Sequence, residues 1–384
     1  MKVSLKAMLV AAFCMTLVAG QAQAQLFFGE NGDPTKLKDG PNFDYGGWIQ
    51  TGWQDRNDGA FTGNGPFQNQ KEFGTVHLNQ LYTYVAKVAN GENGLDWGFR
   101  SDLIYGVDGN EAQSFGNVNP NRWDFLNGFG GPGDTQTHGP YEWAMPQAYL
   151  EVALGNLSIK GGHFYTPIGY EVVTSPNNFF LSRQLTFYNS EPFTHTGILG
   201  TYTASDSLSL VGGWTAGWDT GFTSFNGGSN AIGGFTASLT DNITIYNYTA
   251  FGDFGWRGNG YINSAIASLQ WTERLSTVHQ FDILGTDLRN GAGQLTNFAT
   301  DFITGDSIGV INYVMYNLTG KVTAGFRSEM YKADGQTYWT NTAGVNWKPH
   351  ANLTIRPEVR RNDSNNPNDL FSRTIWGADA ILTF

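Results

Sequence analysis

Five titratable residues stand close together in the middle of the sequence. They are Glu171, Arg183 and Glu191, with His163 and His195 on either side. A protein metal site needs more ligands than two histidines, and no cysteine or carboxylate stands at ligand spacing from this pair. We therefore expect the histidines to make hydrogen bonds, and we expect neither a metal nor a cofactor.

Motifs for catalysis are missing from the sequence. An enzyme needs a nucleophile or an activated water beside a base, and the chain has neither a G-x-S-x-G nor an H-E-x-x-H pattern. The glycine-rich stretch 255–260 matches a phosphate-binding loop only in its spacing, because no helix is expected to follow it. The sequence therefore predicts a protein without enzymatic activity.

Charged residues elsewhere occupy alternate positions of short segments. In 96–105, Arg100 and Asp102 share one face, and Trp97 and Phe99 share the other. Side chains of a β-strand point alternately to opposite faces, so this pattern predicts strands with one apolar face and one face in contact with water. The residues assigned to the wet face are Arg100, Lys160, Arg327, Arg356, Arg360, Asp102, Glu151, Asp282, Glu329, Glu358 and Asp379.

This alternation recurs along the chain and defines 16 candidate strands. Even-numbered strands are followed by short turns and odd-numbered strands mostly by long loops, of which 164–193 is the third. An outer-membrane barrel has this asymmetry, because its periplasmic turns are short and its extracellular loops are long. The sequence predicts an all-β, transmembrane antiparallel β-barrel. Its strands are 43–54, 74–88, 96–105, 144–154, 157–163, 194–202, 208–218, 231–239, 243–251, 261–272, 275–284, 305–316, 321–332, 336–347, 353–361 and 371–384.

The start of the chain has the features of an export signal. Residues 1–24 combine a basic start, a short apolar run and an A-x-A end, which predicts a cleaved secretory signal peptide. Lipidation of Cys14 is the less favoured alternative, because Phe13 stands where a lipobox has a small residue. We expect 25–42 to be a periplasmic segment and 43–384 to form the barrel.

The end of the chain and the aromatic residues fit the same architecture. Trp376, Leu382 and Phe384 share one face of the last strand, a pattern similar to the signal that barrel assembly machinery reads. Trp and Tyr near strand ends predict the aromatic girdles that lie at lipid headgroup level. The girdle candidates are Trp48, Tyr84, Trp97, Tyr105, Trp214, Trp218, Trp271, Trp339, Trp347 and Trp376.

Composition limits the class of protein. Charged residues make up 14% of the chain, against about 25% in an ordinary soluble domain. The mean hydropathy of −0.31 disfavours a helical membrane bundle, and the net charge of −11 disfavours nucleic acid binding. A secreted or adhesive β-protein of the cell surface and an enzyme embedded in an outer-membrane barrel remain as alternatives.

Several sequence blocks resemble one protein family. The blocks GGHFYTPIGYE (161–171), SPNNFFLSRQ (175–184), EPFTHTG (191–197), TGKVTAGFRSEM (319–330) and WKPHANLTIRPEVR (347–360) resemble the OmpL-like "putative beta-barrel porin" family over most of the mature chain. The resemblance implies a porin-like pore in the cell outer membrane and defines neither a solute nor site residues. General porins of this size are often homotrimers, although no sequence feature identifies a trimer face.

A barrel of 16 strands can hold a water-filled channel. We expect passive diffusion of small hydrophilic solutes and ions, with outer-membrane lipid and the barrel assembly machinery as partners. We expect 164–193 to fold inward as a constriction, whose field Glu171, Arg183 and Glu191 would set. An equally supported alternative is that these three residues only tie the loop to the wall. The nearly balanced charges of the wet face argue against strong ion selectivity.

Overall fold

The computed structural model describes residues 43–55, 76–114, 141–222, 227–287, 306–333, 335–365 and 371–384. The expected signal peptide, 1–24, and the expected periplasmic segment, 25–42, lie outside these described residues. In the described part of the chain, no helix is long and apolar enough to span a membrane.

Sixteen antiparallel strands form one closed barrel, in which each strand pairs with its neighbours in sequence and β1 pairs with β16. Within the described ranges, two short α-helices, α1 (Val107–Glu111) and α2 (Leu185–Ser190), lie in connections between strands. The strands are β1 (Asp44–Gln54), β2 (Val76–Lys87), β3 (Asp96–Gly106), β4 (Glu142–Leu154), β5 (Leu157–Tyr165), β6 (Thr194–Ser205), β7 (Leu208–Thr215), β8 (Ser229–Thr240), β9 (Ile243–Asp253), β10 (Asn259–Gln270), β11 (Leu275–Thr286), β12 (Asp306–Thr319), β13 (Val322–Ala333), β14 (Gln336–His350), β15 (Leu353–Ser364) and β16 (Arg373–Thr383).

The sequence-based prediction of the barrel is confirmed. All sixteen predicted strands occur, and no strand end differs from its predicted position by more than three residues. Short turns follow the even-numbered strands, such as the two-residue connections after β4 and β8. The connection 166–193, between β5 and β6, is long and is described throughout.

The two faces of the wall differ in exposure and in chemistry. On β13, Phe326 is 44% exposed, whereas its neighbour Arg327 is fully buried. The same alternation leaves large apolar side chains exposed on the outer face, where lipid would cover them. They include Trp97, Leu150, Val152, Ile159, Ile198, Leu210, Trp214, Phe235, Phe251, Tyr261, Phe281, Val314, Trp339, Trp347, Trp376 and Leu382.

The prediction of a girdle position is wrong for three residues. Trp48, Tyr84 and Trp218 are buried, with exposures of 2%, 7% and 2%. Trp48 stacks on Tyr82 with 3.9 Å between ring centroids, and its indole N–H donates to Gln80. Proximity to a strand end does not tell which face a ring occupies, and these rings pack inside the protein.

The last residue of the chain closes the barrel. Phe384 N donates to Gly47 O at 2.9 Å, and Gly47 N donates to Phe384 O at 3.0 Å. In lipid an unpaired backbone group costs several kcal/mol, so a spanning sheet must leave no open edge. These two bonds extend the β1–β16 pairing by which the sheet meets itself.

Deleting Phe384 should reduce the fraction of barrel inserted into the outer membrane several-fold, because both bonds to Gly47 and the terminal aromatic are lost. The change in gel mobility between unboiled and boiled membrane samples measures this fraction. Phe384→Tyr, which keeps the ring and both backbone bonds, should insert normally. Equal insertion of the truncated chain would contradict the prediction.

Candidate functional site

The connection 166–193 lies inside the barrel. Its hydrogen bonds reach side chains on β1 and β2, on β11 to β13 and on β15. A short segment can reach strands this far apart around a closed wall only from within. Of the residues in this segment, Asn177 alone is exposed, so the segment packs against the wall as a core element does. We call 166–193 the inner loop.

Two glutamine side chains hold the first part of the inner loop. Gln80 on β2 donates to Val173 O at 2.8 Å and accepts from Ser175 N at 3.2 Å. Gln50 on β1 accepts from Ser175 Oγ and donates to Asp379 Oδ2 at 2.6 Å. An amide offers both donors and an acceptor, so each glutamine joins the inner loop to a second wall residue, Gln80 to Trp48 and Gln50 to Asp379.

Arg356 binds the next turn of the inner loop. Its Nη1 donates to Ser175 O at 3.0 Å and to Asn178 O at 2.6 Å. Its Nε and Nη2 donate to the two carboxylate oxygens of Asp379 on β16. The bidentate pair with Asp379 fixes the guanidinium plane, and the remaining nitrogen is aimed at the loop.

Two buried carboxylates of the wall bind backbone N–H groups of the inner loop. Glu358 on β15 accepts from Leu181 N at 2.8 Å and from Ser182 N at 3.2 Å. Glu329 on β13 accepts from Leu185 N at 2.9 Å and from Thr186 N at 2.8 Å. The second pair satisfies N–H groups that the first turn of α2 leaves without a helical partner.

Glu171 forms the buried ion pair of the inner loop. Its Oε1 lies 2.6 Å from Arg327 Nη1 on β13, and it also accepts from Tyr313 Oη at 2.7 Å. Its Oε2 accepts from Gln184 N at 2.6 Å. Removing one partner of a buried pair costs about 3–5 kcal/mol, so Arg327 and Glu171 each depend on this docking.

Arg183 is also buried and binds within the inner loop. Its Nη1 donates to Leu181 O at 2.9 Å and to Phe180 O at 3.2 Å, and its Nη2 donates to Ser175 Oγ at 3.2 Å. These bonds hold the two arms of the loop together. Burial lowers the pKa of the guanidinium, although nearby Glu171 acts in the opposite direction.

Glu191 lies near the end of the inner loop against another acid. Gln280 Nε2 on β11 donates to Glu191 Oε1 at 2.7 Å and to Asp282 Oδ1 at 2.9 Å. Burial, followed by the charge of Asp282, raises the pKa of Glu191 well above its ordinary value. The amide of Gln280 therefore binds both carboxyl groups, and the charge of Asp282 disfavours the ionised form of Glu191.

His163 and His195 lie at the two ends of the inner loop and are both buried. His163 contacts Ser114 Oγ at 3.0 Å through Nε2 and Thr196 Oγ1 at 2.8 Å through Nδ1. His195 Nε2 contacts Thr166 Oγ1 at 3.0 Å. Within the described ranges, no three His, Cys, Asp or Glu side chains meet as a metal site.

Glycines on the inner wall make room for side chains of the inner loop. A Cβ at Gly325 on β13 would overlap the ring of Phe179, and a Cβ at Gly377 on β16 would lie 3.0 Å from Leu181 Cδ2. Gly325 and Gly377 belong to one register row across four strands. The row is Gly325, Gly344, Glu358 and Gly377.

The expectation that water contacts the charged face of the wall is wrong for most of these residues. Among the predicted pore-wall residues, Arg100, Glu151 and Lys160 are partly exposed. The others are buried, mostly under the inner loop, and are Asp102, Asp282, Arg327, Glu329, Arg356, Glu358, Arg360 and Asp379. Glu171, Arg183 and Glu191 are likewise bound side chains, not unpaired charges facing solvent.

Sequence reasoning missed the apolar part of the interior. The inner faces of β8, β10 and β11 carry Ile232, Ile262, Ile266 and Val278, all buried. They form one cluster with Ile168 of the inner loop. Alternation placed these residues on the face opposite their exposed neighbours, but only a segment packed inside the barrel explains why that face is apolar.

Sequence reasoning also missed Asp219, which holds the end of the inner loop. Its Oδ1 accepts from Phe193 N at 2.7 Å and from Thr194 N at 2.8 Å. Burial raises the pKa of Asp219 to about 7, against the opposing effects of these N–H donors and of Arg257. Asp219 has a φ of 51°, a conformation that Asp and Asn tolerate better than most residues.

The raised pKa of Asp219 predicts a loss of stability with rising pH. The folded state retains a proton that the unfolded chain releases at about pH 4. The stabilising contribution is therefore complete below that pH and is lost as the pH rises through about 7. Asp219→Asn keeps the acceptor and tolerates the positive φ, so its thermal unfolding midpoint should fall less between acidic and alkaline pH than that of the native protein. Circular dichroism in detergent measures both midpoints, and equal pH dependence would refute the assignment.

The fold matches outer-membrane proteins of known structure. A loop-deletion mutant of the Vibrio cholerae outer membrane protein OmpT has a TM-score of 0.54 at 11% identity, over 89% of this chain and 99% of its own. OmpT of Vibrio cholerae in its trimer form has a TM-score of 0.53 at 11% identity, over 89% and 99%. A mutant of the Rh. blastica porin has a TM-score of 0.53 at 12% identity, over 89% and 100%. At these identities the likeness shows the fold alone.

No curated protein sequence matches the chain. One family model does, and it covers residues 42–384, which include the whole barrel and the inner loop. Its description reads "Putative beta-barrel porin-2, OmpL-like".

Proposed function

Because the chain belongs to the OmpL-like beta-barrel porin-2 family, we propose that it forms a water-filled channel for the passive diffusion of small hydrophilic solutes and ions. The family and the fold both support an outer-membrane porin. The proposal adds the open path, the class of solute and the absence of an enzymatic role. Export through a cleaved signal peptide and insertion by the barrel assembly machinery belong to the same proposal.

The observation that carries the proposal is the uneven filling of the barrel. Hydrogen bonds from 171–190 go to β1, β2, β11 to β13 and β15. On β3, β4 and β5 the inner face instead presents the partly exposed Arg100, Glu151 and Lys160. A barrel of sixteen strands is wider than its own side chains can fill, so this side of the interior is the path that we assign to solutes.

We propose that the inner loop sets the width of this path. It is tied to one side of the wall by buried charges and glutamines, and it occupies cross-section that a bare barrel would leave to water. Glu171, Arg183 and Glu191 then act by holding the loop in place, which is the alternative that the sequence left open. Among the described residues, the charged groups that we assign to the path are Arg100, Glu151 and Lys160 of the opposite wall.

We also propose a homotrimer. The proposal is supported by the similarity of the fold to OmpT of Vibrio cholerae, whose structure was solved in a trimer form. Chemical cross-linking in detergent followed by gel electrophoresis tests the proposal, and a ladder ending at the monomer would reject it.

Replacing Gly325 by Val should widen the channel. The new side chain would overlap Phe179 and push the inner loop off β13. Single-channel conductance in a planar bilayer should rise above that of the native protein, together with the size limit for sugars in liposome swelling. Gly320→Val is the matched control, because a Cβ at Gly320 would meet nothing within 4 Å.

Two outcomes would contradict these proposals. A native protein that inserts in the bilayer without conducting would remove the channel itself. A Gly325→Val variant that folds and conducts as the native protein does would show that the inner loop does not set the width.

A further inference from the structure

Three charged residues that stay partly exposed on the inner wall are neighbours across three strands. Arg100 on β3 pairs in register with Tyr149 on β4, and Glu151 on β4 pairs with Lys160 on β5. Residues paired across an antiparallel sheet lie about 4.5–5.5 Å apart. The two cations therefore flank β4 on the same face, with Tyr149 and Glu151 between them.

Arg100 has unused hydrogen-bonding capacity. Its Nε donates to the two carboxylate oxygens of Asp102 at 2.8 and 3.1 Å, and its guanidinium carbon lies 4.7 Å from the ring centroid of Tyr84. Among the described residues, none accepts from its Nη1 or Nη2, and the side chain is 12% exposed. Asp102 is fully buried, so the exposed part of this pair belongs to Arg100.

Lys160 has even more unused hydrogen-bonding capacity than Arg100. Its Nζ lies 4.9 Å from the ring centroid of Phe164 and 5.3 Å from that of Tyr149. No described residue accepts a hydrogen bond from it, and Glu151 instead accepts one from Ser158 Oγ. An ammonium group held over two rings is partly stabilised by them, but its three donors are available to an anion.

Aromatic rings lie beside both cations, and the described acids of the inner loop are bound elsewhere. Tyr84 lies against the guanidinium of Arg100, and Tyr149 and Phe164 lie against the ammonium group of Lys160. Glu171 is paired with Arg327 on β13. An anion on β3 to β5 therefore meets rings and two cations, with Glu151 as the partly exposed acid beside them.

We propose that Arg100, Lys160 and Tyr149 form a solute-binding site for carboxylates that carry an apolar or aromatic part. The carboxylate accepts from Arg100 Nη1 and Nη2 and from Lys160 Nζ, and the apolar part lies against Tyr149. This inference rests on the proposed channel. It gives the channel a preference for anions in spite of the chain's net charge of −11, because local charges in a confined path decide which ions pass.

The first test uses benzoate as the probe in planar bilayers. Under a potassium chloride gradient the native channel should give a reversal potential on the anion-selective side, and added benzoate should reduce the chloride current. Arg100→Gln and Lys160→Gln should each raise the concentration of benzoate for half inhibition about tenfold, because a hydrogen bond to a charged group is lost. Glu151→Gln should lower that concentration and strengthen the anion preference.

The second test separates the apolar contact from the charge. Tyr149→Ser should weaken inhibition by benzoate while leaving inhibition by acetate unchanged, because acetate has too small an apolar part to cover the ring. Lys321→Gln is the matched charge control, since Lys321 is exposed in the turn after β12. A shift in gel mobility on boiling, equal to that of the native protein, shows that each variant folds. Lys160→Gln keeps the test decisive if Arg100→Gln fails to fold, because Lys160 holds no buried partner.

The outcomes distinguish this inference from the proposed function. A native protein without any conductance rejects the channel. A native channel that conducts chloride and potassium, but shows no inhibition by benzoate or the same inhibition in Lys160→Gln, rejects the binding site and leaves the channel intact. If the native channel is cation-selective and Glu151→Gln abolishes that selectivity, Glu151 rather than the two cations sets the ion preference. This result would also overturn the inference.

Discussion

Buried charge needs a partner, and this need connects the wall of the barrel to the loop inside it. Arg327, Glu329, Arg356 and Glu358 project from β13 and β15 into a space that the inner loop fills. Backbone N–H and C=O groups of the loop are themselves costly to bury unpaired. Each side thus supplies what the other lacks, and neither the loop nor this part of the wall would be satisfied without the other.

The wall itself depends on a different set of bonds. Backbone pairing runs through all sixteen strands and closes between β1 and β16, and the terminal bonds between Gly47 and Phe384 complete it. This separation matters for function, because the inner loop can be altered without opening the sheet. Backbone pairing satisfies the polar groups of the wall in lipid, and the hydrogen bonds of the inner loop are not part of that pairing.

The sequence was sufficient for the strands and insufficient for the interior. A period of two is a local property, so each strand could be located within three residues of its observed ends. The partner of a side chain is not local: Glu171 and Arg327 are separated by 156 positions, and nothing between them marks the pairing. The wet face was wrongly expected at Glu329 and Glu358 because alternation identifies a face without showing what covers it. No motif marks Gln50 and Gln80 as residues that bind the inner loop. Trp48 was wrongly predicted in the girdle because its position near a strand end does not show which face its ring occupies.

The glycine row on β13, β14 and β16 has a consequence for the order of folding. The inner loop precedes these strands in the chain, and its bonds to β13 and β15 span up to 181 positions. Closing contacts over so long a stretch is entropically expensive until the intervening chain is ordered. The inner loop therefore stays unbound while the later hairpins form. The surface that it packs against exists only when β13 to β16 have paired. Docking of the loop is then a late event, and the interior of the barrel takes its final form after the wall is built.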